Sequence, residues 1–585
     1  MVTTVADEQF GAWLTAFNNA ASSTSVDALI ALFHPDAFWR DFLAFTWNVH
    51  TAEGVDAIRE MLIARFERTA ITAWQQAGPV RSNNGVLDGM VTFNTSDACC
   101  DAVIQLRDGK ASIVLTSMTA LKVLDEARNM GSVSDYPKSG EAGNSGVETD
   151  TGQPYCVIVG AGHCGLSIAA RLQQLGVPTL VIDRRERPSD TWRDRHDSLM
   201  LHTPSYFDEM PLFPYPQNWP LYPSKNQFAN WLDAYRSVMN VNLWTAAECV
   251  GADFDDALGK WRLQVRRGDR VIELNPEQLV ITTGLFGAPK MPTLDGKERF
   301  KGTQQHASLY RNGRDYEGLR CVVVGSGTTA HDISADLWAS GAHVTMVQRS
   351  PTLVMRWQTL SDGLAQLYGS EAKKRGITTE LADLLFAAIP LRSVLRMHQG
   401  VVSQAKQRDA QFYERLKSAG FQVTFGEDEA GVYPQVLRDP GRYYIDVGAS
   451  ELIINGNIKL RSGVAVTGLE EETVVLSDGS ELPADAVFYA TGYDRKPLAP
   501  IVNKDIAEKV GWLWGFGSGI SADPGPWEGE IRNIGKPTQQ TGLWFLAGGP
   551  GIVRSYSRVL ALQIKARQAG IPTAVYKLAE AFHAN

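Results

Sequence analysis

Two glycine-rich turns, beginning 165 residues apart at Gly160 and Gly325, constrain this 585-residue chain more than any other feature. The first reads Tyr155-Cys-Val-Ile-Val-Gly160-Ala-Gly162-His-Cys-Gly165, with Ile168, Ala169 and Leu172 following at helical spacing. A strand that turns directly into a helix gathers the helix's first N–H groups around one spot, which favours an anion. Gly160 then permits the tight turn, Gly162 lets a pyrophosphate approach the backbone, and Gly165 lets helix and strand pack closely. The next apolar run, Thr179-Leu-Val-Ile-Asp183, ends in a carboxylate where a ribose hydroxyl is held in such units. Arg184, beside it, joins the predicted cofactor site.

The second turn reads Arg320-Cys-Val-Val-Val-Gly325-Ser-Gly327-Thr328-Thr329-Ala330, and its next strand ends in Gln348-Arg349-Ser350. A guanidinium in place of the ribose carboxylate suits a 2′-phosphate, which an acid would repel; the alternative is a solvated Arg349. The acid-tagged site is therefore expected to hold FAD and the Arg-tagged site NADPH. Electrons would pass from nicotinamide to flavin and then to an acceptor.

Composition narrows the partners. Acidic residues outnumber basic ones, 65 to 56, which argues against nucleic acid. No apolar run approaches the roughly 18 residues of a membrane span, and the first residues lack a secretory pattern, so a cytoplasmic protein is expected. The six cysteines include no Cys-x-x-Cys pair, which disfavours a dithiol acceptor, and no metal site is expected. Vicinal Cys99 and Cys100 read as two small residues in a strand.

Between the two turns stands Phe300-Lys-Gly302-Thr-Gln-Gln-His306-Ala-Ser-Leu-Tyr310, of the form F-x-G-x-x-x-H-x-x-x-Y. With Thr282-Thr-Gly284 and Ala490-Thr-Gly-Tyr493-Asp, this makes residues 154–570 resemble the class B flavin-containing monooxygenases. Leu199-Met-Leu-His202-Thr203-Pro204 resembles their YUCCA-type members in particular. The resemblance implies a monooxygenase that inserts one atom of O2 into a small organic substrate through a C4a-(hydro)peroxyflavin. It places Trp192, His202 and Thr203 near the flavin and makes His202, His306 and Tyr310 the catalytic candidates. His306 reads as conformational rather than acid–base, and His202 as either a flavin neighbour or a satisfied, partly buried histidine. Tyr310 stands where Baeyer–Villiger enzymes carry Trp. An NADPH oxidase or Baeyer–Villiger-type enzyme is the alternative activity; a flavin-bearing redox sensor or scaffold is the alternative of another class. A homodimer is among the allowed assemblies.

The expected architecture is α/β: two Rossmann-type dinucleotide-binding domains preceded by an α+β cone-fold domain. Residues 1–130 resemble nuclear-transport-factor-2-like (SnoaL-like) domains through Val26-Asp-Ala-Leu-Ile-Ala-Leu-Phe33-His-Pro-Asp36-Ala-Phe-Trp39-Arg40-Asp41. Trp39 and Asp41 are expected to tie helices to sheet. Residues 131–153 read as a linker, 154–316 as the first part of the FAD-binding domain, 317–485 as the NADPH-binding domain and 486–585 as the returning FAD-binding segment. A helical insertion covers about 352–445, with helices at Ala382–Met397 and Val402–Leu416. A further helix is expected at Ser557–Ala566, with Arg554 before it either touching flavin or capping the structure.

Overall fold

The computed structural model describes residues 4–123, 153–494, 498 and 501–583; the expected linker lies outside them apart from Gln153. In the N-terminal unit, helices Val5–Ser22, Val26–Ile30 and Gly54–Thr69 pack on a seven-stranded sheet. Its order is Val49–Glu53, Phe33–Phe42, Lys110–Leu121, Ala98–Arg107, Val86–Asn94 and Gln75–Gln76, with Arg81–Asn83 also on Val86–Asn94. The helical spacing puts Phe10, Trp13, Leu14 and Phe17 on one buried face. There Phe17 meets Trp74, ring centres 4.2 Å apart, and Trp74 stacks on Phe93. Gly89 is required beneath Phe10, because a Cβ there would lie 2.3 Å from the ring. Asp41 is wholly buried and accepts from Thr46, Thr116 and the Phe45 and Thr46 amides; Trp39 donates to Thr116 at 3.0 Å. Cys99 and Cys100 lie in the strand Ala98–Arg107 as free thiols.

Each glycine turn leaves the middle of a five-stranded parallel sheet. The first sheet runs Leu243–Trp244, Thr179–Ile182, Cys156–Val159, Gln278–Ile281, Leu543–Phe545. The second runs Thr303–His306, Ala486–Tyr489, Arg320–Val324, His343–Gln348, Lys459–Ser462. Cys156–Val159 and Gln278–Ile281 are buried at every position, as expected of strands covered on both faces.

Two expected boundaries move. Thr303–His306 pairs into the second sheet although 154–316 assigned it to the first domain, and Ala486–Tyr489 does so although 486–585 assigned it to the return. The former strand is short and polar, so its sequence carries no strand pattern. The insertion helices also differ. Ala382–Met397 is two helices, Thr379–Ala387 and Leu391–Arg408, because Pro390 lacks an N–H and disfavours α backbone before it. Val402–Leu416 is likewise cut at Asp409, with Ala410–Ser418 following. The C-terminal helix runs Pro550–Gln568, beyond both ends of the expected Ser557–Ala566.

The N-terminal unit is bonded to the remainder. Arg40 forms a two-pronged pair with Glu530, 2.6 Å at each prong, and Thr51 donates to the same carboxylate. Glu53 accepts from Arg392 and Trp527, while Asn48 and the Thr46 carbonyl hold the Tyr576 backbone.

Candidate dinucleotide and oxygenation site

At the first turn Gly160 has φ +107° and Thr282 O would lie 2.9 Å from a Cβ. At Gly165 a Cβ would sit 1.9 Å from Gly160 O, so no larger residue fits. Gly162 differs: its backbone is extended and a Cβ would meet nothing within 4 Å. That open cradle at the N-terminus of the helix His163–Gln174 has the shape a pyrophosphate needs. Asp183 closes it, accepting from the Ala161 amide at 2.7 Å and the Arg185 amide at 2.8 Å. Burial pushes the Asp183 carboxyl up despite those bonds. Arg184 is exposed. Trp192 packs edge-on to Phe228 at 4.9 Å and lies 6.1 Å from the His163 ring, whose Nε2 meets Gly548 O at 2.8 Å. The loop before the C-terminal helix thus touches the first turn.

At the second turn Gly325 has φ +126°, and Ala490 O would lie 2.6 Å from a Cβ. Gly327 opens the helix Thr328–Ala339, and the Thr328 hydroxyl donates to Tyr443 O at 2.8 Å. Thr329 is half-buried; Arg349 and Ser350 are exposed, and Arg349 makes no ion pair with a described carboxylate. Gln348 is buried and bonded both ways to the Gln422 backbone, which leaves Arg349 and Ser350 as the residues at this strand end free to meet a ligand.

Where the two halves meet, His202 and His196 each bring Nε2 to 3.7 Å from Asp332 Oδ2. Asp332 belongs to the second turn's helix, so this cluster spans both nucleotide units. Burial alone would raise the Asp332 carboxyl, but His202, with His196 and His331, holds it below its ordinary value. Thr203 donates to Asp208 at 2.5 Å. Asp208 is wholly buried, and burial pushes its carboxyl up to about 6.

The other catalytic candidates sit apart. His306 spends Nδ1 on Ser308 at 2.9 Å and Nε2 on Gly492 O at 3.0 Å, tying its strand to the return crossing. Tyr310 is buried and bonded to Asp336 at 2.5 Å, reaching the cluster only through His196, ring centres 6.5 Å apart. Arg554 is a clamp: it pairs with Asp383 at 2.6 and 2.7 Å and donates to the carbonyls of Phe207 and Glu209. Asp332, His196 and Asp208 carry no spacing that marks them in the sequence.

A family model described as pyridine nucleotide-disulphide oxidoreductase matches residues 157–373. Indole-3-pyruvate monooxygenase YUCCA1 of Oryza sativa subsp. japonica is 33% identical over 347 residues, 59% of this chain and 78% of that protein. The chain belongs to the class B flavin monooxygenase family. Probable indole-3-pyruvate monooxygenase YUCCA3 of Arabidopsis thaliana is 28% identical, covering 64% of this chain and 79% of that protein. The open crystal structure of cyclohexanone monooxygenase shares the fold, with TM-score 0.51 and 16% identity over 72% of this chain and 89% of that one. As a flavin monooxygenase the chain depends on FAD and NADPH, and the open Gly162 cradle and unpaired Arg349 fit those two groups. All six cysteines are free thiols. Among the described residues no helix is long and apolar enough to cross a membrane, and no cluster could hold a metal ion.

Asp208 carries a pH prediction. Its folded value, about 6, lies above the ordinary 3.8, so its contribution to stability is full below about 3.8 and lost as pH rises through 6. Asp208→Asn should therefore raise stability at pH 8 by about 2–3 kcal/mol. In thermal unfolding that gain should shrink as pH falls from 7 to 5; a gain independent of pH would mean the carboxyl is not the source.

Proposed function

We propose that the chain transfers one atom of O2 to a small organic molecule: NADPH, a proton, O2 and substrate give NADP⁺, water and the oxygenated product. The observation that carries this reading is the meeting of the segment bearing His196 and His202 with the second turn's helix at Asp332. Bound flavin, reduced by NADPH, would supply the oxygen chemistry. The chain's own residues bind and orient: Gly160, Gly162, Gly165, Asp183 and Arg184 hold FAD, with Trp192 and Thr203 beside it. Gly325, Gly327, Thr328, Thr329, Arg349 and Ser350 hold NADPH. His202, set against Asp332, is placed to pass a proton at the junction, and His306 and Tyr310 fix the frame around it. Residues 1–130 are read as a nuclear-transport-factor-2-like domain, a reading supported by three helices set against a seven-stranded sheet.

The test is turnover under isotopically heavy O2. One heavy atom in product per NADPH consumed is the expected result. Stoichiometric peroxide with every candidate substrate would replace this reading with an oxidase or a sensor. Arg349→Ala should raise KM for NADPH by roughly 10- to 100-fold, the ~1.5–3 kcal/mol of a charge-assisted hydrogen bond, and leave KM for NADH unchanged. Equal effects on both would remove Arg349 from the phosphate site.

A further inference from the structure

Helix Thr379–Ala387, helix Leu391–Arg408, the N-terminal strand Phe33–Phe42 and the first turns of the C-terminal helix enclose a cleft. It is open to solvent on one side. Phe42, Phe207, Phe386, Leu391, Ile531 and Ile552 make its walls largely apolar. The cleft is joined to the first glycine turn. Gly551 lies under Phe207, where a Cβ would be 2.6 Å from the ring. The loop before that helix meets His163 through Gly548 O. Phe207 itself follows His202 by five residues and is held by Arg554.

We propose that this cleft is the substrate chamber, that the N-terminal unit supplies one of its walls, and that it takes an uncharged aromatic or apolar molecule. The proposal rests on the monooxygenase reading. Its basis is the state of the charges. Arg40 gives Nε and Nη2 to Glu530, Nη1 to Ala387 O, and a longer Nη2 contact of 3.4 Å to Tyr556. Arg554 gives Nε and Nη2 to Asp383 and Nη1 to two backbone carbonyls. Both guanidiniums are thus neutralised and occupied within the protein. A ligand carboxylate would enter an apolar space whose one lining cation, Arg40, is already held by Glu530, and would lie beside the Asp383 carboxylate, an arrangement burial strongly disfavours. A carbonyl or ring heteroatom faces no such penalty, and Ser555 and Tyr556 among the lining residues carry hydroxyls.

The experiment compares indole-3-pyruvate with its methyl ester, which share ring and ketone and differ by one charge. Each is titrated into the FAD-loaded full chain and read by perturbation of the visible flavin spectrum. The ester should half-saturate at least about tenfold below the acid. Ser555→Phe, which fills the cleft, should raise the ester's half-saturation at least tenfold. Ile552→Ala, a truncation that introduces no clash should Ser555→Phe fail to fold, should shift it by about threefold or more. Equal or tighter binding of the acid, no binding of the ester, or indifference to these substitutions overturns the proposal. The monooxygenase reading fails separately, by absence of heavy oxygen from every product while NADPH is consumed.

Discussion

Gly162→Val will fold and purify without flavin. Valine adds an isopropyl group, three carbons, at a backbone that is already extended, and the protein offers no atom within 4 Å for the first carbon to strike. Only a ligand lying against the helix N-terminus meets the new side chain. Displacing a pyrophosphate from two N–H donors costs roughly 1.5–3 kcal/mol per bond, which lowers FAD affinity by about 10²- to 10⁴-fold. The measurement is flavin absorbance per chain after purification, beside circular dichroism. Native-like dichroism with full flavin content would refute the cradle. Gly165→Ala is the contrast: its Cβ would collide with Gly160 O at 1.9 Å, so there the fold itself should fail.

Glu530→Ala will destabilise the full chain by about 3–5 kcal/mol, because it strands the Arg40 guanidinium in a buried site. Arg40 is 5% exposed and Glu530 1%, so water cannot take over the lost partner without opening the interface. Thr51 loses its acceptor in the same step. Urea unfolding reads the effect, and a loss under about 1 kcal/mol would show that the interface admits water. The double variant Arg40→Met, Glu530→Gln should recover much of the loss, since removing both charges leaves none stranded.

The parts of this molecule that rest on short-range rules are legible in its sequence. Glycine at Gly160 and Gly165 follows from a turn with no room for a Cβ, and the buried strands beside them follow from their apolar runs. Pro390 also announces its helix break, though the apolar periodicity on either side of it masks that signal. The hidden parts depend on long-range assembly. Asp332 becomes a partner of His202 and His196 only when two separately built sheets are set side by side. Thr303–His306, with Thr-Gln-Gln-His as its sequence, becomes a strand only because Ala486–Tyr489 is there to pair with it. Arg554 reads equally well as a flavin contact or a cap until Asp383 is seen against it.

The Arg40–Glu530 pair also bears on how the chain is made. Its partners are 490 residues apart in sequence. At a synthesis rate of about 5–20 residues per second, roughly half a minute to a minute and a half separates their emergence from the ribosome. Through that interval the N-terminal unit carries Arg40 hydrated on an unfinished surface, and the Tyr576 backbone that seats on Asn48 arrives later still. The first unit to leave the ribosome is therefore among the last to be completed, and a chain stopped before residue 530 would present that basic, half-apolar face to chaperones and to its neighbours.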